Sequence, residues 1–132
     1  MRYLRLFSEW KLRNATIKNR VVFPPTCPSW VSDPWSGVFI DMATHYYAER
    51  AKGGVGLIII GGTHVHPSSI SAPLLMPQLF DDRNIGPLGK IAEAVHAEGC
   101  KLGIQLWHSG VRGFPTFKQA AGFDPEATWY TL

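Results

Sequence analysis

Apolar and polar positions change period several times along the chain, and each change marks an element. The longest uninterrupted apolar run, Val55 to Ile60, lies between Gly53-Gly54 and Gly61-Gly62. A β-branched run of this kind suits a strand buried on both faces of a parallel sheet. The second glycine pair leaves room for a backbone or ligand to approach closely. Polar residues then begin with Thr63, His64 and His66, and in parallel α/β folds functional groups gather at that carboxyl end. Upstream, Leu6 to Lys18 reads as a short hairpin turning at Arg13-Asn14-Ala15. Arg20 to Phe23 predicts a strand stopped by Pro24-Pro25, with Thr26 to Ser29 as its carboxyl-end loop and an irregular segment to about Phe39.

Asp41 to Lys52 predicts a helix with Met42 and Tyr46 on one stripe and Ala43, Tyr47 and Ala51 on a neighbouring one. Its acidic start, basic end and Gly53 as the residue past the end fit the capping rules. A long loop from His64 to Phe80 follows, then a second helix over about Asn84 to Glu98, capped by Asp81 or Asp82 and ended by Gly99. Its apolar stripe is Ile85, Leu88, Ala92 and Val95. Lys101 to Leu106 is a third strand, opening into Trp107-His108-Ser109-Gly110-Val111-Arg112, and the chain from Phe114 on shows neither period.

This order predicts an α/β unit with parallel strands and right-handed crossovers. Both helices then cover one face and leave the other bare, which is no stable end state for a parallel sheet. The chain is expected to be one incomplete domain over residues 1–132, either a piece of a larger barrel or a unit covered by a partner. Its parts would be a hairpin over 1–19, β-α-β-α-β over 20–112 and a tail over 113–132.

With 45% hydrophobic and 17% charged residues, the 132-residue chain is foldable rather than disordered. A net charge of +3, scattered rather than striped, argues against nucleic-acid binding. The start lacks a signal peptide's apolar core, and no apolar run approaches the roughly 18 residues of a membrane span. Cys27 and Cys100 form no framework or metal pair, so free thiols in a reducing, cytoplasmic setting are expected.

Several residues carry candidate chemistry. Cys27 follows the first strand and could touch a cofactor or act as a nucleophile, or be a small buried hydrophobe. Cys100, at the opposite strand end, is expected to be structural. His64 and His66 form a His-x-His pair as in barrel metallohydrolases, but without a second ligand cluster. Glu93 and His96 have di-iron spacing in a single copy, which an amphipathic helix explains equally well. Gly53-Gly54-Val55-Gly56 precedes its strand and so is no phosphate loop. Gln105, an amide inside an apolar strand, must be networked or must read a ligand's donor–acceptor edge. Trp107 and His108 could line the same pocket.

Leu6-Phe7, Lys18 to Cys27, Tyr46-Tyr47 with Glu49-Arg50-Ala51, Gly56 to Thr63, Ala94 to Gly99 and Gln105 to Gly110 together, in this order and spacing, resemble the Old Yellow Enzyme family. The resemblance runs from about Leu6 to Arg112 and implies the N-terminal portion, about three βα units and a hairpin, of an FMN-binding (β/α)8 TIM barrel. It implies that Pro25, Thr26 and Cys27 pack against the flavin, that the backbone at Gly62 reaches the ring, and that Gln105 hydrogen-bonds its pyrimidine edge. Cys27 matches a position where a thiol tunes the flavin potential. The pattern Gln105-Leu106-Trp107-His108 looks nearer the trimethylamine dehydrogenase and dienoyl-CoA reductase branch. There a cysteine can bond covalently to the flavin, an amine can be the substrate, and a 4Fe-4S cluster can sit in a missing C-terminal part. The family's substrate anchors, proton-donating tyrosine and phosphate-binding loops come after the third strand.

The implied function is a flavoprotein oxidoreductase passing hydride from NAD(P)H through FMN to an activated alkene or similar small molecule. In this reading the rest of the barrel or a second copy covers the sheet, and the isolated chain is inactive. Two alternatives stand beside it: a metal-dependent hydrolase using His64 and His66, and a non-catalytic half-barrel that assembles with a partner chain.

Overall fold

The computed structural model describes residues 3–70 and 76–110, so the tail expected over 113–132 lies outside them. Strands β1 (Trp10–Leu12) and β2 (Ala15–Ile17) pair antiparallel around a turn in which Arg13 takes φ 50°. Strands β3 (Val22–Thr26), β4 (Leu57–His64) and β5 (Lys101–Trp107) form a parallel sheet in that order. Helix α1 (Asp41–Lys52) links β3 to β4, and α2 (Ile85–Ala97) links β4 to β5. This is the expected β-α-β-α-β unit behind a hairpin.

Register follows the alternation of side chains. Phe23 pairs with Ile58 and Ile58 with Leu102, and these point to the helices. Ile58 and Ile60 meet Ala43, Tyr47 and Ala51 of α1 and Ile91 and Val95 of α2 in one buried core. Val22, Leu57 and Lys101 pair on the opposite face. There the hairpin closes the amino ends of the strands, with Ile17 2% exposed. An open hollow of about 390 Å³ remains between them, lined in part by Leu12, Ala15, Ile17, Leu57 and Ile59. On that face Val22 at the amino end of β3 and Gln105 and Trp107 at the carboxyl end of β5 stay exposed, which is the bare surface the crossover argument demands.

The structure corrects the ends of two strands and some helix details. Strand β3 runs through Pro24 and Pro25 instead of stopping there. It is an edge strand, so one of the two missing N–H groups points away from β4, and the register slip between Phe23 and Thr26 takes the other out of the ladder. Strand β4 takes in Gly61, Gly62, Thr63 and His64, with an irregularity between Ile60 and Thr63 that a purely apolar pattern could not show. The left-handed residue after α1 is Gly54 at φ 98°, because Gly53 is still right-handed at φ −65°. On α2 the buried stripe is Ile91 and Val95 with Leu88 beside it, and Ile85 is 66% exposed. Asp81 caps a 3-10 turn, Asp82–Asn84, that leads into α2, and the α-helix proper starts at Ile85, within one residue of the expected Asn84.

Candidate functional site at the carboxyl ends of the sheet

Parallel pairing brings Thr26, Gly62 and Gln105 to the same end of three adjacent strands. Pro25, Thr26 and Cys27 are exposed there. Gly61 fits against this strand only because it lacks a Cβ: one built there would lie 2.5 Å from the Thr26 carbonyl oxygen. Gly62 has φ 32°, and its N–H donates to Gln105 Oε1 at 3.0 Å. That bond occupies the amide's acceptor, so the NH₂ of the exposed Gln105 side chain supplies two donors. Thr63 Oγ1 donates to the Gln105 carbonyl at 2.9 Å and fixes the strand's backbone as well.

Above Gly62 lie two side chains. A Cβ on Gly62 would collide with the Met76 methyl and approach the Trp107 ring at 3.9 Å. Trp107 therefore joins the site, as its position suggested. Met76 was not legible, because it reaches Gly62 from a return segment fourteen residues on with no local pattern. Cys27 is solvent-accessible, and partial burial of its sulfur pushes the thiol's pKa up, so it is the thiol rather than the thiolate at neutral pH. Cys100 is buried at the opposite strand end, as expected of a structural residue.

The histidines separate into different roles. His64 is 1% exposed, and its Nδ1 lies 3.1 Å from Ser69 Oγ. Ser69 Oγ donates its own proton to the His66 carbonyl at 2.5 Å, so His64 Nδ1 must carry the proton of their contact. Burial first, and then the facing His108, lower the His64 pKa to about 4. His66 is exposed; its Nδ1 accepts the Ser68 N–H at 3.1 Å, which leaves its proton on Nε2. It cannot also offer Nε2 to a metal without giving up that bond. Among the described residues no group of three or more metal-ligating side chains exists. His64 and His66 thus give no support to the metallohydrolase alternative. Glu93 and His96 are both exposed on α2, away from these loops.

A flavin fits what the strand ends present. A fixed amide with free donors suits a ring edge bearing carbonyls, Gly62 admits close backbone approach, and the open surface beside Thr26 and Cys27 is flanked by apolar Trp107 and Met76. No charged group for a phosphate stands among these residues.

Comparison with known proteins bears on the fold and the family. The chain is 37% identical over 106 residues to an NADPH dehydrogenase of Listeria monocytogenes, covering 80% of this chain and 31% of that protein. It is 34% identical over 122 residues to an NADH oxidase of Thermoanaerobacter brockii, covering 92% of this chain and 18% of the relative. Its fold superposes on the crystal structure of Old Yellow Enzyme from a Pichia species with a TM-score of 0.81 at 31% identity, covering 90% of this chain and 30% of that one. Morphinone reductase gives a TM-score of 0.74 at 30% identity, over 83% and 28% of the two chains. The chain thus spans a third or less of the length of these relatives, and its sheet is a partial barrel unit. Residues 5–124 match the NADH:flavin oxidoreductase / NADH oxidase family, and the chain belongs to that family.

Proposed function

We propose that the whole protein is an FMN-dependent oxidoreductase that draws on NAD(P)H, and that this chain supplies the wall against which the flavin ring lies. The observation that carries the reading is the convergence of the Gly62–Gln105 pair with Thr26 and Cys27 at one end of the sheet. Gln105 would hold the pyrimidine edge through its free amide donors, Gly62 would lie under the ring, and Pro25 to Cys27 would flank it. When bound, FMN supplies the hydride chemistry, and the chain orients it and adjusts its electronics. Relatives include an NADPH dehydrogenase and a bilirubin reductase, names that support reduction of an activated small molecule over oxidation of an amine. The rest of a barrel, or a second copy, would cover the exposed Leu106 and Trp107 and the outer edges of β3 and β5.

The test is a visible absorption spectrum of the purified protein, repeated on the supernatant after acid precipitation. A flavin band that moves to the supernatant is the expected result. Colour retained in the pellet would assign a covalent bond to Cys27, and a protein that takes up no flavin at any stage would overturn the reading.

A further inference from the structure

Beyond Gly62, the ends of β4 and β5 are tied by a second set of contacts that the flavin site does not use. Val65 N–H donates to the Trp107 carbonyl at 3.2 Å, and Ser109 Oγ donates to the Ser69 carbonyl at 2.6 Å. His108 Nδ1 accepts the Gly110 N–H at 3.0 Å, so its Nε2 bears the proton and donates to Ser68 Oγ at 2.9 Å. Ser68 in turn gives its hydroxyl proton to His66 Nδ1 at 2.8 Å, and the two imidazoles stack with centroids 6.3 Å apart. Each link is matched to neutral imidazole.

His64 is the buried member of this set. Its backbone holds the return segment, donating to the Pro77 carbonyl at 2.8 Å and accepting the Leu79 N–H at 2.7 Å, next to the Met76 that covers Gly62. Its Nδ1–H is used by Ser69, and its Nε2 is buried without a hydrogen-bond partner among the described residues. An added proton could sit only on Nε2, as a buried cationic donor with no acceptor among the described residues.

We propose that His64 is the trigger of an acid-operated latch: protonation at Nε2 expels its ring and releases the loops after β4 and β5 that carry His66, Ser68 and His108. Among the described residues the groups around it do not offset the charge. From the β5 side the facing titratable group is His108, a base with no negative charge to offset it. Its own loop offers Ser69 and the His66 carbonyl, already paired with each other. The return segment contributes Pro77, Leu79 and Gln78, and the Arg83 that reaches Gln78 Oε1 at 3.5 Å is neutralised by Asp81 at 2.7 Å. Since Gly62, Thr63 and Trp107 stand on the same strand ends, opening the latch loosens the wall of the candidate site, whatever that site binds.

The experiment is an NMR titration of the full chain from neutral to acid pH, following the His64 ring carbons and the amides of Val65, Ser69 and Trp107. The expected result is a His64 ring that stays neutral as the pH passes 6.5 and then changes in one cooperative step with those amides as it nears 4. In His64→Gln, which cannot take up the proton, the amide step should be absent. A His64 ring that titrates smoothly near 6.5 with no coupled amide change would overturn the proposal in the unmodified protein. So would an amide step that persists unchanged in the variant.

Discussion

Gln105 and Gly61 show how single residues set the candidate site. The Gln105 side chain is fixed by one backbone donor, and the approach of β4 to β3 depends on one absent methyl group. Gly61→Ala would place its Cβ 2.5 Å from the Thr26 carbonyl oxygen and 2.9 Å from the Pro25 carbonyl carbon, both backbone atoms that cannot rotate away. The two strands must separate, at a cost of about 1–3 kcal/mol. A denaturant midpoint lowered to that extent is the expected outcome, and an unchanged midpoint would show that the strands have slack there. His64 adds a pH term to stability. Its folded pKa lies below the unfolded 6.5, at about 4, so the unfolded chain binds the extra proton between those values. The contribution is complete above 6.5 and is lost as the pH falls towards 4, up to about 3 kcal/mol for this buried ring. Unfolding measured at stepwise pH should show this decline, and His64→Gln should flatten it.

At the level of elements, Asn84 does more than its place before a helix suggests. Its Oδ1 accepts the Phe39 N–H at 2.8 Å, while Nδ2 donates to the carbonyls of Gly37 and Gln78 at 2.9 and 2.6 Å, all at 2% exposure. One side chain therefore fastens the segment before α1 and the return segment to the start of α2. Asn84→Ala leaves the Phe39 N–H and the Gln78 carbonyl unmatched, while the Gly37 carbonyl keeps the Gln78 N–H, and should cost about 2–4 kcal/mol in thermal or denaturant unfolding, with the strand-end site loosened through Gln78. Helix α1 was legible to the residue because its charges and small buried residues agree with its period. Strand β3 was not, because two prolines read as a stop, and the slip in its register with β4 that accommodates them leaves no mark in the pattern. Helix α2 was legible in extent but not in face. Ile85 falls on the apolar stripe yet precedes the surface that meets the core.

For the whole molecule, the alternation of strands and helices announced a parallel unit with one covered face, and the structure has that layout, with a hairpin closing its lower end. Candidate residues at strand ends were legible because parallel topology sends every carboxyl end to one side. Their partners were not: Met76, Ser68 and Ser69 arrive from a loop whose course no periodicity encodes. Among the described residues no helix is long and apolar enough to cross a membrane. The family match and the superposition on larger barrels agree that the unit is part of a bigger fold.

The central claim is that this strand end receives a flavin through Gln105. It is tested most directly by titrating FMN with the purified chain and with its Gln105→Leu variant, following flavin fluorescence. Saturable quenching by the wild type, weakened about tenfold or more in the variant for the loss of a hydrogen-bonding partner to the ring, is the predicted result. Equal binding by the two proteins, or no saturable binding by the wild type, would contradict it.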